Sequence, residues 1–225
     1  MRLFKNCKEP TEMSQTVTSK APLTLSQLKV VVPHAKSHII VKKVVTLKSL
    51  AVIRCLVRNY ESTEYAFRNL FRNSYIRIIG QNKERATDEI QEIYDVGAEK
   101  NRKEILSQLA NITQYFQKVL DTFQETADTE NVQITQEYTH PQDVELIIEV
   151  PEMNSIANLF DIGDLVHIYA DNLYLAGFIT LDDKNSLTTE FASKVKNLAK
   201  NASIKANASQ KLGNTLKAKI TITPT

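Results

Sequence analysis

The sequence predicts a mostly helical protein with a small β component, an α+β fold. Two observations support this prediction: long stretches repeat apolar residues at helical spacing, and a few short runs are rich in β-branched residues. The 225 residues are enough for one large domain or two small ones, and the 42% hydrophobic content is ordinary for a globular protein. We therefore expect a protein with an ample apolar core.

The N-terminal part combines a tail with the β-rich segments. Residues 1–22 are polar and show no sustained period, which predicts a flexible tail. A single globular domain is predicted over 23–200, and its first part, 23–80, is basic with a strand–helix–helix order. Residues 28–32 and 39–45 are rich in β-branched side chains and predict strands.

Two helices are predicted after these strands. Thr46 is a suitable N-cap for a helix that runs to about Tyr60, because apolar residues recur at i+3 and i+4 spacing after it. A second helix is predicted to begin near Ser62 and to end at Gly80. The segment between them, around Asn59, is therefore predicted to be a turn.

The longest helical pattern covers 83–127. Gly97 lies where the pattern loses phase, which predicts a bend or a break. In the second half, apolar residues follow strict 4-3-4-3-4 spacing, which is an a/d seam. This seam consists of Ile105, Leu109, Ile112, Phe116, Val119 and Phe123. It predicts packing against another helix of the chain or against a symmetry mate.

The C-terminal part, 131–200, is predicted to contain two short strands and two helices. Gly177 is expected to end the first of these helices. The predicted strands are 132–135 and 144–150, and the predicted helices are 154–176 and 181–200. The Ala-, Asn- and Lys-rich residues 201–225 are predicted to be a polar tail.

The charge of the chain is unevenly distributed, although its net value is only +2. Residues 1–85 contain 16 Lys and Arg against 5 Asp and Glu, 86–170 contain 4 against 17, and 171–225 contain 8 against 4. The basic and acidic parts either pack against each other or form separate solvated faces. Alternatively, the basic part is a surface for a polyanion.

No pattern in the sequence indicates catalysis. Nucleophile-elbow, Walker, Rossmann and zincin motifs are absent, and two Cys with four scattered His form no zinc set. His167 is expected to form a local salt bridge with Asp164 and Asp171, four or fewer residues away on a helix. We therefore expect no enzyme activity, no catalytic, cofactor-binding or metal-binding residues, no cofactor and no small-molecule substrate.

The hydropathy of the chain predicts a cytoplasmic protein that does not contact a membrane. No apolar stretch approaches the roughly 20 residues that span a bilayer, and the N-terminus lacks the apolar region of a secretory signal.

The order and spacing of three segments between residues 27 and 198 resemble a known family. The segments are 30–36, 47–56 running into 65–68, and 170–173 followed by 176–183. On these residues the sequence resembles the AcaB-like family, which is encoded on conjugative plasmids and integrating conjugative elements. The resemblance implies a ribbon-helix-helix-related N-terminal part, joined here to a long helix and a C-terminal helical pair.

The family resemblance implies a transcriptional regulator that binds double-stranded DNA as a homodimer. The strand from 28–45 would pair across the two-fold axis, and helices near 47–60 and 63–80 would follow it. Lys29 is the one long polar side chain in 28–32, so base reading by the ribbon is less expected than phosphate contacts. The candidate DNA-binding residues are Lys29, Lys36, Lys42, Lys43, Lys48, Arg54, Arg58, Arg68, Arg72 and Arg77.

Two alternatives stay open at this point. The arginines of the basic part would instead stabilise the fold if they pair with the acidic stretch 86–104. The chain would instead be a non-enzymatic protein-interaction or scaffold component of a conjugation or secretion system if the 105–123 seam and the acidic middle engage a protein partner.

Overall fold

A computed structural model describes residues 41–73, 88–135, 138 and 141–222. The predicted tail at 1–22, the segment 23–40 and residues 74–87 lie outside this range. The elements in chain order are β1 (Val41–Leu47), α1 (Leu50–Asn73), α2 (Asp88–Thr129), β2 (Gln142–Ile148), α3 (Met153–Leu175) and α4 (Leu181–Ile222). The expectation of a mostly helical protein with a small β component is confirmed.

The two strands pair with each other in an antiparallel sheet. The register joins Val41 to Ile148 and Leu47 to Gln142. Alternate side chains face the core, and Val45 with Leu146 are buried there. Residues 132–135 have no strand structure, so the prediction of a strand there is wrong. β1 instead finds a pairing partner within its own chain.

α1 is one continuous helix, and the predicted turn between two helices is wrong. The polar side chains at this point bond back to helix carbonyls instead of opening the backbone. Asn59 Nδ2 donates to the Cys55 carbonyl at 2.9 Å, and Thr63 Oγ1 donates to the Asn59 carbonyl at 2.7 Å. Asn and Thr side chains favour turns when local sequence alone is considered. Within a helix, however, they can bond to the carbonyl four residues earlier, as they do here.

The N-terminus of α1 is bound by a carboxylate from α3. Asp164 accepts the backbone N–H of Lys48 at 3.0 Å and that of Ser49 at 2.7 Å. The predicted cap, Thr46, lies in β1 and donates to Asp143 on the neighbouring strand. A carboxylate at this position satisfies N–H groups that lack helical partners and complements the helix dipole.

α2 and α4 run antiparallel over much of their length. Three polar contacts fix the alignment: Asn101 to Ser209, Glu104 to Lys205 and Gln108 to Asn201. α4 therefore continues as a helix through the residues predicted to be a polar tail. Its small residues explain why, because they form a buried stripe at 4-3-4-3 spacing. The stripe is Ala202, Ala206, Ser209, Gly213 and Leu216.

Gly97 does not bend or break α2. A Cβ placed on Gly97 would lie 2.6 Å from Cδ2 of Leu212, so this glycine permits the close approach of α2 and α4. The apolar spacing becomes irregular around Gly97 because α4 packs closely on α2 there, and not because the helix breaks.

The core lies where all four helices meet. Phe116 of α2 and Phe160 of α3 pack edge-on against Phe191 of α4, with ring centroids 5.0 and 5.9 Å apart. α3 matches its predicted range to within one residue at each end, and Gly177 follows it at a φ of 83°. Among the described residues, none of the helices combines the length and apolar character of a membrane span.

Candidate nucleic-acid interface

Three arginines lie on the exposed face of α1. Arg54, Arg58 and Arg72 are all exposed, and helical spacing places them on one side of the helix. Within the described part of the chain, no carboxylate forms an ion pair with any of them, whereas Arg68 and Arg102 are both paired. These three guanidinium groups are therefore available to an external anion.

Arg68 shares this side of α1 but has a structural role. Its Nη1 lies 3.3 Å from Glu149, which follows β2, and 3.5 Å from Glu64 on the preceding turn. The guanidinium also lies over the ring of Tyr65, 5.5 Å from the centroid. Burial raises the pKa of Glu64, and the Arg68 charge opposes this shift. Arg68 thus connects α1 to the end of the sheet.

The predicted lysines of β1 also have partners. Lys42 Nζ lies 2.7 Å from Glu145 on β2, and Lys43 Nζ lies 3.9 Å from Asp161 on α3. The backbone N–H of Lys48 donates to Asp164. The two ion pairs offset the charges of Lys42 and Lys43, whereas the bond of Lys48, which follows β1, involves its backbone only. Three further predicted residues, Lys29, Lys36 and Arg77, lie outside the described residues.

The face of α1 opposite the arginines anchors the helix in the core. Cys55, Phe67 and Leu70 are buried there. Burial raises the pKa of the Cys55 thiol to about 11, so it is a protonated apolar side chain at neutral pH. Tyr60 donates to the carbonyl of Ile147 at 3.0 Å, and burial raises the pKa of its hydroxyl to about 12. The helix that carries the arginines is therefore firmly positioned.

The prediction that His167 forms a salt bridge with Asp164 and Asp171 is wrong. The ring is 3% exposed, and its Nδ1 lies 2.7 Å from the carbonyl of Gly163. Burial lowers the pKa of His167, so the ring is neutral, while Asp164 binds the α1 backbone and Asp171 binds Lys184. The described residues contain no group of three His, Cys, Asp or Glu side chains that could hold a metal ion.

A polar cleft separates α1 from the second half of α4. It has a volume of about 200 Å³. Its lining consists of Tyr65, Ala66 and Asn69 from α1 with Ser203, Ala206, Asn207 and Gln210 from α4. The α4 side of this cleft was not predicted, because the polar composition after residue 200 predicts a tail. The 4-3-4-3 stripe of small residues was the signal that a helix continues there.

The fold and this surface define a helical α+β protein with a basic helix face. Among solved structures, the chain is similar to selenomethionine-containing AcaB from uropathogenic E. coli. The TM-score is 0.63 at 16% sequence identity, and the match covers 82% of this chain and 89% of AcaB. At this identity the similarity shows a common fold. No protein-family model and no curated protein sequence matches the chain.

Proposed function

We propose that this chain is a DNA-binding transcriptional regulator of conjugative-element genes that acts as a homodimer. It binds duplex DNA mainly through phosphate contacts from the exposed face of α1, and it acts by binding rather than by catalysis. The AcaB-like sequence resemblance suggests this role, and the similarity of its fold to AcaB is consistent with it.

The exposed arginines of α1 are the observation that carries the proposal. Arg54, Arg58 and Arg72 have no ion-pair partner among the described residues, although acidic side chains bind Lys42, Lys43 and Arg68 nearby. Guanidinium groups suit phosphate oxygens in geometry and in charge. Glu61 is also exposed on this face, but the arginines outnumber it.

The dimer is supported by apolar side chains on the outer side of the sheet. Val44 and Ile147 are 61% and 40% exposed, and they lie diagonally across the β1–β2 register. Exposed apolar patches on small proteins commonly mark interfaces. A second copy that covers this surface would leave the arginines of α1 available to DNA.

Salt-dependent DNA binding tests the proposal. Each phosphate contact contributes about 0.9 to the slope of log affinity against log salt. We expect Arg54→Ala with Arg58→Ala to reduce the slope by about two units and to weaken specific and non-specific DNA alike. The measurement is fluorescence anisotropy with a labelled duplex at several salt concentrations.

Two controls separate phosphate contacts from effects on folding. Lys100→Ala with Lys118→Ala removes two exposed charges from α2 and should leave the slope unchanged. Arg68→Ala should lower the melting temperature while it changes the slope little, because Glu64 and Glu149 already neutralise this arginine. An unchanged slope in the Arg54/Arg58 variant would contradict the proposal.

The scaffold alternative makes a different prediction for the same experiment. A scaffold protein would show no salt-dependent retention on DNA. The seam that this alternative requires is largely occupied, because Ile105, Leu109 and Phe116 are buried in the core of the chain itself.

A further inference from the structure

The helices α1 and α4 lie side by side and run in the same direction. The N-terminus of α1 is bound by Asp164, and the adjacent residue Gly163 packs closely on Phe191 of α4. Further along, residues 65–69 of α1 face 203–210 of α4 across the cleft. Both helices therefore advance together from the α3 end of the molecule.

This parallel arrangement brings two polar stripes together along one groove. The α1 stripe follows 4-3-4-3 spacing and the α4 stripe follows 4-3-4-4 spacing, so each stays on one side of its helix. The α1 stripe is Arg58, Ser62, Tyr65, Asn69 and Arg72. The α4 stripe is Lys196, Lys200, Ser203, Asn207 and Lys211.

The register of the cleft sets the two groups of cations opposite each other. Two helical turns from the cleft toward the N-termini, this alignment of α1 and α4 places Arg58 level with the helical turn between Lys196 and Lys200. One turn from the cleft toward the C-termini, it places Arg72 level with Lys211. The helical rise separates Arg58 from Arg72 by about 21 Å along the axis.

The groove carries positive charge that is not offset on α4. Residues 191–222 contain seven lysines and no Asp or Glu. Of these seven lysines, Lys194 pairs with Glu190 and Lys205 with Glu104, and both lie on the side of α4 that faces α2. Lys196, Lys200 and Lys211 are exposed on the other side, without an ion pair to any described residue.

We propose that the α1–α4 groove holds the phosphodiester backbone of one strand of duplex DNA, with the α4 lysines completing the site that the α1 arginines begin. This inference rests on the proposed function and adds the α4 side of the DNA-binding surface to it. Two cationic groups about 21 Å apart span several phosphates of one strand. The hydroxyl and amide groups between them, such as Ser203 and Asn207, are suitable donors to phosphate oxygens.

The test compares paired variants in the full chain, by anisotropy with a labelled 20-base-pair duplex over a salt series. Lys196→Ala with Lys200→Ala should reduce the salt slope by about two units, whereas Lys196→Arg with Lys200→Arg should restore it. Lys100→Ala with Lys118→Ala is the matched control and should keep the wild-type slope. All six changes are at exposed helical positions, and circular dichroism melting checks that each variant folds.

The outcomes distinguish this groove from the proposed function itself. A wild-type chain that does not bind duplex DNA would overturn both. If the slope of log affinity against log salt falls in the Arg54/Arg58 variant but not in the Lys196/Lys200 variant, the α1–α4 groove is not the site, while the proposed function still holds.

A single-stranded probe of the same sequence tests which form of DNA supplies the backbone. Tyr65 is exposed in the groove and could stack on an unpaired base, which is typically a five- to hundredfold effect, about 1–3 kcal/mol. We expect the wild-type chain to bind the duplex more tightly than the single strand. Tighter binding of the single strand, lost in Tyr65→Ala, would overturn the assignment to duplex DNA.

Discussion

His167 is held neutral inside the protein by its surroundings. Nδ1 faces the Gly163 carbonyl, the ring packs edge-on at 5.6 Å from Phe191, and Nε2 has no hydrogen-bond partner among the described residues. Asp164, Asp171 and Lys184 are the charged groups that act on it, but burial is the largest effect and lowers its pKa. A proton on Nε2 would therefore be costly in the folded state.

His167 should make the folded state less stable in mild acid. A histidine in the unfolded chain gains its proton near pH 6.5, whereas the folded state resists it. The unfolded state then binds more protons, so the free energy of unfolding falls as the pH drops below about 6.5, by at most about 1.4 kcal/mol per pH unit.

We expect His167→Leu to remove this contribution, as measured by urea unfolding between pH 7.5 and pH 5. Asp164 shifts in the opposite sense, because burial raises its pKa, and it is present in both proteins. The difference between wild type and variant therefore isolates the histidine. Parallel pH profiles for the two proteins would show that His167 is not responsible.

The arginines of α1 show what the sequence can and cannot predict at the scale of residues. Spacing alone places Arg68 and Arg72 on one side of a helix. It does not reveal that Glu149, 81 residues away, lies beside the first and not beside the second. That difference depends on where β2 ends relative to α1, which is a tertiary property.

At the scale of elements, the a/d seam of α2 was predicted from its spacing, and it lies in the core. Ile105, Leu109 and Phe116 are at most 2% exposed, while Val119 and Phe123 are partly buried. Strict apolar spacing identifies a buried helix face reliably, because burial of such side chains is the dominant stabilising effect.

Phe116→Asp should therefore unfold the protein or destabilise it by several kcal/mol. The change removes a ring that contacts Phe191 and leaves an unpaired carboxylate in the core. Chemical denaturation measures the loss. Asn111→Asp introduces the same charge on the exposed side of α2 and should change stability by no more than about 0.5 kcal/mol. Similar midpoints for both variants would show that the seam is not part of the core.

Two elements could not be predicted correctly from local preference. Asn59 favours turns in isolated sequence, yet packing on both sides of it keeps α1 helical through that position. Residues 201–222 have small residues at most of their buried positions, so their apolar periodicity is weak. Their buried stripe becomes visible only beside α2, where Gly97 and Leu212 allow close contact.

At the scale of the whole molecule, the basic and acidic parts of the sequence neutralise each other only in part. Lys42 with Glu145, Lys43 with Asp161 and Arg68 with Glu149 each join the basic N-terminal part to the acidic middle. The interpretation that the two parts pack together is correct for these pairs. In the acidic stretch 86–104, Glu104 pairs with Lys205 of α4, and Glu99 pairs with Arg102 and Lys103 of α2 itself. Among the described residues, none of its carboxylates pairs with an exposed arginine of α1.

The oligomeric state is the remaining property of the whole molecule that the proposal requires. The family resemblance implies a homodimer in which the strand from 28–45 pairs across the two-fold axis, whereas residues 41–47 pair with β2 of their own chain. The exposed side chains of Val44 and Ile147 support a homodimer instead, because they lie diagonally across the register on the outer side of the sheet.

We expect light scattering at micromolar concentration to report about twice the 25.5 kDa chain mass. Val44→Lys should shift the protein toward monomer, because a charge buried between two copies of the sheet is costly on both sides of the two-fold axis. Thr46→Lys is the matched control, since Thr46 is exposed at the next outward position of β1 and donates only to Asp143. A wild-type monomer would remove the dimer from the proposal and leave DNA binding by α1 to be judged by its salt slope alone. Dissociation in both variants would instead place the interface across the whole outer side of the sheet, with Val44 as one contact among several.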